Sequence, residues 1–205
     1  MSERAILSVR SHVPAERIGE FAAAQERART HLEKTPGAFG PTIYSLESDG
    51  EVFLTLLQLE DLAAFNLEMA GHLTDEIALD LHRAMDGAPS VRTIRILGAA
   101  GPPARDLPPD HYLSVSDRIA DPGKADDLAR DYEAVFGSFT QLEGFLGYAY
   151  GPDGATEEHL FGFAVWRDRE ALNQSLKDTM RHELRVYRRI HATELVRVPD
   201  EFAVT

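Results

Sequence analysis

The sequence predicts an α+β chain in which one order of elements, β-α-β-β-α-β, is written twice. Three observations carry this reading. Gly98 to Pro109 (GAAGPPARDLPP) continues neither a helix nor a central strand, and it cuts the 205 residues into near-equal halves. Short apolar, β-branched runs open both halves, and both contain Leu-Ser-Val, at Leu7–Val9 and Leu113–Val115. Behind each run the same succession of helical and alternating patterns follows.

Arg4 to Arg10 and His111 to Asp117 read as the opening strands. Pro14 then starts a helix at a first-turn position, where its missing N–H costs nothing. Ile18, Phe21, Ala22, Ala28 and Leu32 recur at the three-and-four spacing of one buried face, with Gln25 as a polar break. Ala125, Leu128, Ala129, Tyr132, Val135, Phe136 and Phe139 do the same in the second half. Gly-marked turns, Pro36 to Gly40 and Glu143 to Gly147, lead into strands at Thr42–Leu46 and Gly147–Tyr150. Asp49-Gly50 and Asp153-Gly154 tolerate positive φ and predict hairpin connections. Val52–Leu59 and Leu160–Trp166 are apolar on both faces, the pattern of a central, covered strand. Second helices are marked by Leu62, Phe65, Met69, Leu73, Ile77, Leu81 and Ala84, and by Leu172, Leu176, Met180, Leu184, Tyr187 and Ile190. Each half closes in a short β run, Val91–Leu97 and Glu194–Val198.

This order is the split βαβ, ferredoxin-like arrangement, with both helices on one face of a four-stranded antiparallel sheet. One unit alone leaves an apolar sheet face bare, which a soluble monomer rarely tolerates. The expected architecture is therefore two ferredoxin-like repeats, residues 1–98 and 110–205, joined by a Pro/Gly linker at 99–109. Their sheets face each other as an intramolecular pseudo-dimeric α+β barrel.

Composition narrows the function. Lys and Arg number 21 against 34 Asp and Glu, a net charge of −13, which repels phosphate backbones and argues against nucleic acid. Cysteine is absent, which removes disulfides, thiolate metal sites and thiol nucleophiles. No apolar run spans a bilayer and no export pattern opens the chain, so a cytoplasmic protein without membrane contact is expected. There is no Gly-rich dinucleotide fingerprint, phosphate loop or Gly-x-Ser-x-Gly elbow, and the eight histidines lack metal-like spacing. The expectation is no cofactor and no metal.

One segment carries a family likeness. Phe163-Ala-Val-Trp166-Arg-Asp-Arg-Glu-Ala-Leu172 has a Trp closing the third strand and a helix starting within a few residues. With the doubled element order, it resembles the dimeric α+β barrel superfamily, and most of all the antibiotic biosynthesis monooxygenase group in tandem form. The first half departs from this pattern, since Leu56-Leu57-Gln58-Leu59-Glu60-Asp61 has no Trp, so the second half is the candidate for the site. The resemblance implies cofactor-independent oxidation, by O2, of an aromatic anthrone or phenol of polyketide type. A small hydrophobic aromatic molecule is then the partner, and the outer sheet edges leave room for a homodimer. The related haem-degrading branch calls for an Asn on the first strand and a helical His. Ser8 and Ser114 stand on the matching strands and Leu176 on the matching helix, which weighs against haem oxygenation.

Each candidate residue has a functional and a bland reading. Trp166 is a pocket wall or a large core side chain whose indole N–H needs a partner. Tyr148 and Tyr150 share one strand face, with Tyr112 and Tyr44 on neighbouring or comparable strands; all four are substrate-binding candidates or simple amphipathic walls. His182 and His72 are the candidate general bases, because imidazole accepts a proton near neutral pH; exposed helix histidines are the plain alternative. Arg181, Arg185, Arg188 and Arg189 form an anion clamp or a solvated helix face. The alternative function is a non-catalytic, small-molecule-binding or stress-response protein of the same superfamily. A buried pocket of about a few hundred Å3, lined by Trp166 and the tyrosines and reached from solvent, favours the enzyme. A fully packed space favours the alternative.

Overall fold

A computed structural model describes residues 4–35, 37–63, 65, 75–102, 106–108, 110–154, 156–175 and 185–190. They belong to two compact units, Met1–Val91 with Ile190–Thr205, and Arg92–Arg189. The fold is α+β, with antiparallel strands and four α-helices among the described residues.

In the first unit, β1 (Ala5–His12) is followed by a 3-10 turn and α1 (Ile18–Leu32). β2 (Ala38–Leu46) and β3 (Asp49–Leu59) form a hairpin, and α2 covers Asp75–Ala84. β3 lies between β1 and β2, with Leu7 opposite Leu57 and Ile43 opposite Thr55. α1 turns Phe21, Ala22, Ala28 and Leu32 inward, as the spacing predicts. Phe21 and Ala22 pack with Ile43, Phe53 and Ala84, whereas Leu32 joins Leu57, Leu59 and Phe65. β4 (Ser90–Arg95) crosses the division between the units.

The second unit adds β5 (Gly98–Ala100), β6 (Tyr112–Ile119), α3 (Ala125–Phe139), β7 (Phe145–Asp153), β8 (Thr156–Trp166), α4 (Arg169–Ser175) and β9 (Arg185–Ile190). Its strands run in the order β9-β6-β8-β7-β5. The first four of these are the 4-1-3-2 order of a split βαβ unit.

The four elements from β1 to β3 recur as β6, α3, β7 and β8 with identical lengths, each starting 107 residues later. Turn chemistry recurs with them. Gly37 and Gly144 have φ of 74° and 76°, and their carbonyls accept the N–H of Glu60 at 2.8 Å and Arg167 at 2.7 Å. Asp61 and Asp168 each cap the following helical turn, accepting the N–H of Ala63 and Ala171.

Three expectations need correcting. The Leu-Ser-Val match is one residue out of register: at an offset of 107, Ser114 corresponds to Leu7, not Ser8. Side chains alternate faces along a strand, so that slip inverts which face each serine occupies. The helix expected through Leu184, Tyr187 and Ile190 stops at Ser175 among the described residues, and 185–190 is a strand paired with β6. Helical spacing and a β-branched, aromatic edge compete there, and ladder hydrogen bonds decide. Finally, Gly98–Ala100, which spans the start of the expected linker, is a strand paired with β7. The closing strand at Glu194–Val198 lies outside the described residues.

Candidate functional site

The layer between α3 and the second unit's sheet gathers the aromatic residues. Alternation on β6 directs Ser114, Ser116 and Arg118 to one face, and on β8 it directs Leu160, Gly162, Ala164 and Trp166 to the same face. Opposite Gly162 and Ala164 on β7 stand Tyr150 and Tyr148. From α3, Tyr132, Phe136 and Phe139 recur at helical spacing and pack onto these strands.

Trp166 is fully buried and closes β8. Its indole N–H donates to Ser114 Oγ at 3.0 Å, so the polar edge of the ring is satisfied inside the protein. Phe139 and Phe145 meet it edge-on at centroid distances of 5.2 and 5.6 Å. Phe136 stacks on Tyr148 at 5.4 Å and on Tyr150 at 5.7 Å. Gly162 makes room for this: a Cβ there would stand 2.8 Å from ring carbons of both Tyr132 and Phe136. A second hydroxyl pair, Ser116 Oγ and Tyr132 Oη, lies at 2.9 Å, and Tyr132 also donates to the Leu160 carbonyl at 3.4 Å.

Burial raises the Tyr132 phenol above its ordinary pKa, and the Ser116 hydrogen bond only partly opposes this. Burial likewise raises Tyr150, with Glu133 and Tyr148 adding to the effect. Both phenols are therefore held neutral, as donors rather than bases. A cavity of about 40 Å3 remains, lined by Ser114, Ser116 and Tyr132 with Phe136 and Phe139, and reaching Arg118 and Asp131. It holds a water or a diatomic molecule but no ring system.

Of the expected site residues, Trp166, Tyr148 and Tyr150 are in this layer, and Tyr112 packs against it from opposite Trp166. Tyr44 is buried and belongs to the first unit. His72 and His182 lie outside the described residues. Ser114, Ser116 and Gly162 were missed as site residues, and Tyr132, Phe136 and Phe139 were read only as a helix face. The alternation Ser114-x-Ser116 beside a strand-end Trp was the available signal. Among the described residues, no group of His, Asp and Glu is arranged to hold a metal ion.

Element order and strand order define the second unit as a ferredoxin-like α+β unit with an aromatic, hydroxyl-bearing layer under its first helix. Residues 118–185, within this unit, match the family model "Antibiotic biosynthesis monooxygenase". A presumed monooxygenase from Fusobacterium nucleatum has a similar fold, at 12% identity and a TM-score of 0.76 over 93% of both chains. Another from Lactobacillus acidophilus gives 11% and 0.70 over 93% of this chain and 95% of that one. An anthrone oxidase-like protein gives 13% and 0.65 over 93% and 92%. No curated protein matches the chain.

Proposed function

We propose that the second unit is a cofactor-independent monooxygenase domain that oxidises an anthrone- or phenol-type aromatic with O2. In the same reading the chain is a tandem pair forming a pseudo-dimeric barrel, with the first repeat as structural partner. The observation that carries this is the layer around Trp166, where stacked rings alternate with buried hydroxyl donors. An anthrone supplies its own electrons. A base removes a proton from its acidic C–H, giving a delocalised carbanion that passes one electron to O2. Recombination forms a C–O bond and a peroxide, which loses water, so anthrone and O2 become quinone and water. The protein's share is a dry site, a base and donors to the developing oxyanion. Tyr132, held neutral by burial, and Ser116 are placed to donate, Trp166 and Tyr148 form walls, and His182 or His72 is the base. Phe136 or Phe139 turns out of the stack to admit the ring.

The 40 Å3 cavity favours a second reading, a non-catalytic member of the superfamily, because sites for small organic molecules run to roughly 300–1,000 Å3. One experiment separates the two. Purified protein is mixed with an anthrone in air while quinone absorbance and quenching of the single Trp are followed. The proposal expects quenching together with faster quinone formation than in buffer. Quenching without turnover supports the second reading, and neither signal removes the aromatic site.

A further inference from the structure

β5 lies against the outer edge of β7 at unusually close range. Gly98, Ala99 and Ala100 stand opposite Tyr150, Ala149 and Tyr148. The Leu97 N–H donates to the Tyr150 carbonyl at 3.0 Å and the Gly154 N–H to the Thr93 carbonyl at 2.7 Å. Glycines on both sides permit this approach. A Cβ on Gly151 would stand 1.7 Å from the Arg95 carbonyl oxygen, and one on Gly98 would stand 2.4 Å from the Tyr150 ring. On Gly101, at φ 99°, it would lie 2.3 Å from the Leu146 oxygen, and on Gly147 2.7 Å from the Ala100 oxygen.

A charge cluster fastens the same segment. The Arg92 Nη1 donates to Asp117 Oδ1 at 2.7 Å, and its Nε lies 3.9 Å from Asp153 Oδ2. His159 Nε2 is 2.5 Å from the same Asp117 oxygen. Their side chains are a quarter exposed or less, so the cluster is better shielded than a surface pair. Arg95 and Glu157 add an outer pair at 3.3 Å. Four strands thus meet at one point: β4, β6, β7 and β8.

We infer that residues 92–101 are a self-supplied edge strand, clasped by Arg92, that keeps β7 from pairing with β7 of a second copy of this chain. Without it, residues such as Tyr150 and Gly154 would offer open backbone groups, the template on which strands of other molecules add. An antiparallel partner is what two identical edges offer one another by twofold symmetry. The strap presents little edge of its own: its ladder with β7 is Ile94 and then the three residues Gly98–Ala100, before Pro102. The inference holds whatever the second unit binds or oxidises.

The test compares the full chain with Gly151→Val, Gly98→Val and Arg92→Ala by amide exchange and sedimentation, with Trp166 emission and cooperative melting as checks of folding. Release of the strap speeds exchange at Leu97 and Gly154 about tenfold or more and adds one association step beyond wild type. A folded variant with both amides released and wild-type sedimentation overturns the shielding role. Full protection in all folded variants overturns the clasp. If Gly151→Val does not fold, the other two decide.

Discussion

The two units set the same backbone to different purposes, and the 107-residue offset lets them be compared position by position. In the first unit, Gln25 of α1 donates across to Thr55 Oγ1 on β3 at 3.3 Å, within a buried layer. The corresponding positions in the second unit are Tyr132 and Gly162. Removing a side chain from the strand lets a ring from the helix lie flat on it, and the phenol reaches on to Ser116. Leu59 becomes Trp166, Leu32 becomes Phe139 and Ile43 becomes Tyr150. Arg29, tied to Glu26 and Glu33, becomes the buried Phe136. Leu7 and Val9 give way to the hydroxyls of Ser114 and Ser116. At these positions the first unit uses aliphatic side chains and the Gln25–Thr55 bond, beside its own Phe21–Phe53 pair, whereas the second exchanges aliphatic volume for rings and hydroxyls. The difference teaches where a site can be: under α3 the buried hydroxyls of Ser114, Ser116 and Tyr132 stand beside a continuous cluster of rings.

Truncation at the two strand ends gives the largest contrast. Trp166→Ala removes a fully buried ring and its indole donor, and we expect a loss of about 3–5 kcal/mol in urea unfolding. It also leaves Ser114 Oγ without its donor. Leu59→Ala is expected to cost about 2–5 kcal/mol, from lost apolar burial and the cavity left behind, with no hydrogen bond of the side chain involved. Near-UV circular dichroism should change for Trp166→Ala well beyond the Leu59→Ala change, since only the former dismantles the ring cluster. Equal spectral changes would break the comparison.

A smaller effect tests the Tyr132–Gly162 exchange. Gly162→Thr places a Cβ against Tyr132 and Phe136, and overpacking of this kind costs about 1–3 kcal/mol. Adding Tyr132→Gln imports the first unit's pair and should recover part of that loss. A double-mutant cycle by denaturant unfolding measures the coupling, and simple additivity would show that the glycine and the ring are independent.

How much of this was legible depended on whether the signal lay within one element. The three-and-four spacing in α1 and α3 suffices to place both helices, because burial of one face decides their stability. Alternation likewise put Tyr148 and Tyr150 on one face, and the strand-end position of Trp166 was visible. The shared Leu-Ser-Val word matches Ser114 with Ser8, whereas the register of the strands matches it with Leu7, and only strand pairing fixes register. Gly162 had no local meaning, since its role depends on α3, some thirty residues away. Gly98 and Gly101 read as chain breakers, whereas they permit β5 to approach β7. Residues 185–190 fitted a helical period and were taken by the edge of β6.

The smallest expected effect lies on the other sheet face, where the units again diverge. Asp117, Asp153 and His159 correspond to Arg10, Leu46 and Val52, so the cluster exists only in the second unit. Burial alone would raise the Asp117 carboxyl, but hydrogen bonds from Arg92 and His159 outweigh it and hold its pKa below the ordinary value. Between those two values the folded chain binds fewer protons than the unfolded one. The contribution is thus fully present above the usual carboxylate range and is lost as pH falls through the depressed pKa. Urea midpoints should therefore decline between about pH 5 and pH 3 in the parent, and the decline should be shallower in Asp117→Asn. Arg10→Gln, at the corresponding position, should leave the slope unchanged. If Asp117→Asn keeps the parent's slope, the cluster contributes nothing to acid sensitivity and the two sheet faces differ in composition but not in energetics.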